Sequence, residues 1–308
     1  MSKKLTIILL TGIIVLAAVL RLWGLGKVPP SPDWDEVALG YNAYSVMQTG
    51  RDEYGKFLPV VLQSFDDYKP AFYMYSIIPF IPLFDLSIVA VRLPSVVFGI
   101  LTVLATYFLV GELFKRKDIA LVATLLLAVS PWHIQFSRLA FETNTGLAFN
   151  VFAALFFLKG LKKPWLLSIS ATFMALSIYV YQSEKAFVPL LALALIIIYH
   201  KKLFILPKKY IISAVLVGLI LIMPMVYYIS TNKNALLRAQ GVSIFSEPIS
   251  LLQDSQIKLL DDTKSGNWFG QIFDNRRVIF AKQIAANYLV HYNLNWLFMT
   301  GDLKRHHA

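Results

Sequence analysis

The segment "FYMYSIIPFIPLF" (residues 72–84) decides how the chain is threaded through a membrane. As a helix it reaches only about 20 Å at ~1.5 Å per residue, against roughly 30 Å of bilayer hydrocarbon. Pro79 and Pro82 also interrupt helical hydrogen bonding. Shortness alone does not settle its status, because the apolar block 186–200 is also short. The cations settle it. "MSKK" (1–4), "KRKD" (115–118), "KGLKKP" (159–164) and "HKKLFILPKK" (200–209) hold 12 of the 29 Lys and Arg residues and one of the 18 acids, Asp118. Glu112 lies just inside the preceding apolar block. Short basic loops stay in the cytoplasm. Block 5–25, "LTIILLTGIIVLAAVLRLWGL", therefore leaves the cytoplasm and block 93–114 returns to it, so 72–84 is an interfacial or re-entrant helix.

Seven spans follow: 5–25, 93–114, 119–136, 145–160, 165–182, 186–200 and 210–229. The expected fold class is all-α, a polytopic transmembrane helix bundle with interfacial helices in its first outer loop, 26–92. The first block is a retained anchor. It is too long for a signal-peptide core, and "GKVPPSPDWDE" offers no small-residue cleavage site. The composition agrees, at 57% hydrophobic and only 15% charged, far from the quarter charged of soluble domains. The net charge of +11 is mostly explained by insertion, since 16 of the 18 acids fall on the outer side, and nucleic acid needs no role. Cysteine is absent and histidines show no zinc-type spacing. Residues 1–230 form the membrane module and 231–308 an extracytoplasmic, partly helical segment. With no closing span after "GDLKRHHA", the chain is expected to be truncated.

Five polar groups gather on the outer side. "SPDWDE" (31–36) brings Asp35 and Glu36. Ser31 or Asp33 would cap a helix over about 34–48, with Trp34, Val37, Tyr41, Tyr44 and Gln48 on one face. "FDDYKPAFYMY" (65–75) brings Asp66, Asp67 and Lys69. "FSRLAFETN" (136–144) brings Arg138 and Glu142, four apart on a helix face or lining a polar cavity. "YVYQSEKAF" (179–187) brings Tyr181, Gln182 and Lys185, an aromatic-belt turn or a surface for a sugar or phosphate. "GDLKRHH" (301–307) brings Asp302, Arg305 and His306. Each group has a bland account as a cap, loop or tail. Jointly they place ionisable residues at one leaflet, as chemistry or binding on a single side requires.

An N-terminal span, an acid pair opening an interfacial helix, "YKPAFY", "VRLPSVVFGILTVLATYFLVGELF", "SRLAFETN" and "YVYQSEKAFVPL" occur in that order. The set resembles the GT-C membrane glycosyltransferases, nearest the dolichyl-phosphate-mannose protein mannosyltransferases (family 39) and the bacterial aminoarabinose transferases. The resemblance covers roughly residues 5–230. It implies that Asp35 of the Asp35-Glu36 pair acts near the acceptor. It also implies that Asp66 or Asp67, with Lys69-Pro70, forms the second motif, and that Glu142 is the outer acid after the third span. Tyr68 stands where relatives often carry the acid before Lys.

The implied activity is sugar transfer from a polyprenyl phosphate, by inverting displacement, to a protein or glycolipid acceptor at the outer face of a prokaryotic plasma membrane. Asp35 would take the acceptor proton. Lys69, Arg138 and Lys185 would stabilise the leaving phosphate. Glu36, Asp67 and Glu142 would orient acceptor or cations. A divalent cation is the one cofactor these carboxylates suggest, and nothing in the sequence requires it. The competing expectation is a polytopic transporter or lipid-carrier flippase, which calls for charges near the midplane and paired broken helices.

Overall fold

The computed structural model of the protein describes residues 2–64, 67–232 and 249–300. Asp66, Asp302, Arg305 and His306 lie outside the described residues. The chain divides into two units, Met1–Ala235 and Leu236–Ala308.

The first unit opens with α1 (Lys3–Leu22) and continues into α2 (Trp34–Thr49), which ends at Gly50. Gly50 holds φ +71 as the left-handed cap and returns its N–H to the Val46 carbonyl, a conformation glycine adopts without a Cβ clash. A short antiparallel hairpin follows, β1 (Val61–Ser64) against β2 (Asp67–Pro70), with Leu62 opposite Lys69 and Ser64 opposite Asp67. Segment 72–84 is broken as its prolines require. It runs through α3 (Phe72–Ile77), a 3₁₀ turn (Ile78–Phe80) and α4 (Ile81–Phe84). Then come α5 (Ile88–Phe114), α6 (Lys117–Val129), α7 (Pro131–Ser137), α8 (Glu142–Gly160), α9 (Leu166–Ser177), α10 (Glu184–Leu203) and α11 (Lys208–Thr231).

Helix α5 is the spine. It packs against α1, α6 and α7 on one side, α8 on another, and α2 and α3 at its N-terminal end. The row continues from α8 to α9 to α11, while α10 touches α8 and α9 only lightly. Small residues sit at these contacts, with Ala17, Ala128 and Ala153 fully buried. Lipid chains are as apolar as leucine, so membrane helices associate by close packing rather than by hydrophobic exclusion. The large side chains of α1, α10 and α11 accordingly point outward, Ile8, Leu190 and Leu219 among them.

A second core clamps the outer elements to the bundle. Leu39, Ala43 and Val46 of α2 pack with Leu62, Tyr73, Met74, Ile77 and Val91. The α2 face carrying Trp34, Val37, Tyr41 and Tyr44 is exposed, so this aromatic stripe is the outer face and Leu39, Ala43 and Val46 are the packed one.

Among the described residues, four helices are long and apolar enough to cross a bilayer, α1, α5, α10 and α11. A fifth is added if α6 and α7, bent by 59°, count as one broken span. Pro131 at the bend has no N–H with which to continue α6. The expectation of seven spans thus exceeds what length and apolarity support. Helix α8 opens on the polar run Glu142, Thr143, Asn144, Thr145, and α9 has only 12 residues. Charge-based sidedness counts crossings by the loops between them and is blind to both shortfalls.

Within the second unit, α12 (Ile249–Ser265), α13 (Trp268–Phe273) and α14 (Arg276–Val290) pack on one another.

Candidate active site

The start of α2 explains the local order of charge. Asp33 is its N-cap, accepting from the Trp34 N–H at 2.8 Å, and the Glu36 carboxylate reaches back to the Asp33 N–H at 3.2 Å. This is a capping box, with acids placed where the helix dipole favours them. Asp35 and Glu36 then diverge, because successive helical residues point about 100° apart.

Glu36 turns inward. Arg92 donates to it from Nε and from a terminal nitrogen, both at 2.8 Å, and the Ala140 N–H adds a bond of 2.9 Å. The remaining N–H groups of Arg92 go to the carbonyls of Leu25, Pro29 and Ser31. Arg92 is fully buried and Glu36 is 3% exposed. Both carboxylate oxygens of Glu36 are thus engaged by Arg92 and the Ala140 N–H.

Asp35 turns toward the hairpin, where Lys69 Nζ lies 2.5 Å from Oδ1. The Asp35 side chain is 37% exposed and that of Lys69 13%. A small hollow beside the pair is lined by Asn42 and Ser64 as well. Asn42 is held by Glu53, donating to its carboxylate at 2.9 Å and accepting from its N–H at 3.0 Å. This partly open carboxylate–ammonium pair has the composition that proton removal beside an anion needs.

The turn after α9 docks on the same hairpin. Phe72 N–H donates to the Tyr179 carbonyl at 3.0 Å, and Gln182 donates to the carbonyl of Tyr68, next to Lys69. Lys185 Nζ in turn donates to Gln182 Oε1 at 2.5 Å, and half-buried Tyr181 belongs to the same turn. Gln182 and Lys185 are thus tied to the hairpin at Tyr68, the residue before Lys69. Asp67 contributes backbone to β2.

Arg138 has a different environment from the one expected. It is 8% exposed and donates to the carbonyls of Leu20 at 2.9 Å and Val28 at 3.0 Å. It closes the C-terminus of α1, where cations complement the dipole. These bonds tie the guanidinium to backbone carbonyls. Glu142, at the start of α8, is also buried. Burial pushes the Tyr73 phenol well above its ordinary range, with the nearby carboxylates of Glu142 and Glu36 adding to the shift. Among the described residues no three His, Asp or Glu side chains gather as a metal ion would need.

Several residues escaped the sequence reading. Arg21 is fully buried and donates to the carbonyls of Ala17 and Ala128 and to His133 Nδ1. Glu184 is buried and accepts from Asn150 at 2.8 Å and Ser177 at 3.0 Å. Arg92 and Arg21 did carry a signal: each is a lone cation within an apolar run, and such residues always need an internal partner.

Residues 68–228 match the family model described as dolichyl-phosphate-mannose-protein mannosyltransferase. The match contains Lys69, Arg138, Glu142, Tyr181, Gln182 and Lys185, while Asp35 precedes it. No curated protein and no solved structure matches the chain.

Proposed function

Because the chain belongs to the dolichyl-phosphate-mannose-protein mannosyltransferase family, we propose that this membrane glycosyltransferase moves a sugar from a polyprenyl phosphate to a protein hydroxyl at the extracytoplasmic face. The observation that carries the reading is the Asp35–Lys69 pair, a partly exposed carboxylate held against an ammonium at 2.5 Å.

The chemistry follows from that pair. Asp35 accepts the proton of the acceptor hydroxyl as its oxygen attacks the anomeric carbon. The bond from that carbon to the phosphate oxygen breaks, and its electron pair leaves with the phosphate. One inverted displacement results, and a single carboxylate is enough, because phosphate departs without protonation. Lys69 exchanges Asp35 for the phosphate as negative charge gathers there, with Lys185 as the second cation. Glu36 fixes α2 so that Asp35 meets the hairpin.

An apolar groove of about 350 Å³ supports a lipid-linked donor. It runs between α9, α10 and α11, lined by Met174, Ile178, Val188, Pro189, Gly218 and Leu219 among others. Ile178 and Val188 pack with Tyr68 and Tyr179, the residues beside Lys69 and the docked turn. A lipid chain in this groove would bring its phosphate toward Lys185. The positive-inside distribution of the basic loops supports a hairpin outside the cytoplasm.

The test uses purified protein in lipid nanodiscs, dolichyl-phosphate mannose, and a peptide rich in Ser and Thr. The expected product is a mannosyl peptide with anomeric configuration opposite to the donor. Mannose transfer with retained configuration would contradict the single displacement. Absence of any mannosyl peptide would contradict the donor and acceptor assignment.

A further inference from the structure

The hollow beside Asp35 contains one polar group that the reaction above does not use. Four of its lining residues are polar: Asp35, Asn42, Ser64 and Lys69. Three are already engaged. Asp35 and Lys69 hold each other. Asn42 gives and receives hydrogen bonds with Glu53 and also donates to the Ala38 carbonyl at 2.9 Å. Ser64 differs. Its Oγ is buried and has no hydrogen-bond partner among the described residues, and the residue as a whole is only 6% exposed.

An orphaned buried hydroxyl forfeits its bonds to water and is destabilising, so native proteins keep few of them without a reason. Nothing in the packing requires a hydroxyl at this place. The other lining side chains are aliphatic, and alanine would fill the position with no polar group to satisfy. Ser64 also sits at the end of β1, directly across the ladder from Asp67 and two residues along from Leu62, which faces Lys69. The hairpin that presents the ammonium therefore presents this hydroxyl to the same hollow.

We propose that Ser64 is an acceptor-binding residue, its hydroxyl hydrogen-bonding the substrate hydroxyl that Asp35 deprotonates. The inference rests on the transfer reaction proposed above and adds the specificity contact to it. A hydroxyl both donates and accepts. Ser64 can thus donate to the acceptor oxygen while that oxygen's own proton points to Asp35. The hollow, about 10 Å³ in volume, has room for one water-sized group, so the ligand class is an alcohol whose hydroxyl tip enters on a narrow stem, such as that of a Ser or Thr side chain, in preference to a ring hydroxyl flanked by bulky substituents.

The experiment compares wild type, Ser64→Ala and Ser64→Thr in nanodiscs, with dolichyl-phosphate mannose as donor and the Ser- and Thr-rich peptide as acceptor. For Ser64→Ala the peptide KM rises about five- to tenfold, the loss of one neutral hydrogen bond. The donor KM stays within about twofold and the thermal midpoint is unchanged or higher, because an unpartnered hydroxyl has been removed. Ser64→Thr keeps the hydroxyl and restores most of the peptide affinity. An unchanged peptide KM in Ser64→Ala overturns the proposal. A lowered thermal midpoint with both KM values raised equally also overturns it, since the hydroxyl would then be holding the fold. If wild type itself makes no mannosyl peptide, the transfer reading fails first and takes this inference with it.

Discussion

Glu36 and Asp35 share a sequence motif and have separate physical roles. Both are acids in the first turn of α2, where a dipole argument treats them alike. One helical step turns Glu36 onto Arg92 and leaves Asp35 facing the hairpin. Glu36→Leu should strand the guanidinium of Arg92 without a counter-charge. Breaking one side of such a buried pair costs about 3–5 kcal/mol, so the thermal midpoint should fall sharply. An unchanged midpoint would mean that Arg92 finds another partner. Tyr75 offers a second check on the packing of the outer elements. Its phenol donates to the Pro59 carbonyl at 3.0 Å, and burial, aided by the Asp52 charge, pushes its pKa up to about 12. Its folded value thus exceeds the ordinary value of 10.0. The stability it contributes is complete below pH 10 and is lost as the pH climbs toward 12. Alkaline titration followed by tyrosinate absorbance should lose one transition near pH 12 in Tyr75→Phe; retention of that transition would contradict the assignment. At this scale the sequence showed which residue types recur in the polar loops, and not which of them face each other. Arg138 shows why. Its spacing to Glu142 is that of a helix pair, yet a turn separates α7 from α8 and sends the guanidinium to the carbonyls of Leu20 and Val28.

The elements that position the site were largely legible. The prolines of 72–84 forced a break, and α3 and α4 are separated by a 3₁₀ turn at that place. Asp33 capped α2 one residue before its helical pattern began. The orientation of α2 was not legible, because its aromatic stripe is as regular as its packed face. Gly40 determines that packing: a Cβ there would meet Val91 Cγ2 at 2.8 Å. Gly40→Ala should push α2 away from α5 at a cost of about 1–3 kcal/mol. It should also lower sugar transfer, since Asp35 rides on the same helix. Wild-type transfer in a variant of lowered stability would separate the α2 position from catalysis. The seven-span expectation is not confirmed at this scale, for a physical reason. A polar first turn on α8 and a 12-residue α9 are compatible with loop charges while falling short in apolar length.

At the scale of the whole molecule, one asymmetry organises the account: four short loops rich in Lys and Arg hold only one of the 18 acids, and the proposed topology puts those loops on one side of the membrane and the carboxylates on the other. The chain has no cysteine, so single cysteines report sidedness directly. In sealed, right-side-out vesicles, Lys56→Cys should react with an impermeant maleimide, and Lys163→Cys only after permeabilisation. Reaction of both from the same side would invalidate the topology. The family match assigns the chain to membrane glycosyltransferases, and our proposal is that Asp35, paired with Lys69, takes the acceptor proton. That claim is tested most directly by the rate of mannose transfer from dolichyl-phosphate mannose to peptide in Asp35→Asn beside wild type. The account predicts a loss of about 10²–10⁴-fold with an unchanged thermal midpoint. Transfer at the wild-type rate would contradict it.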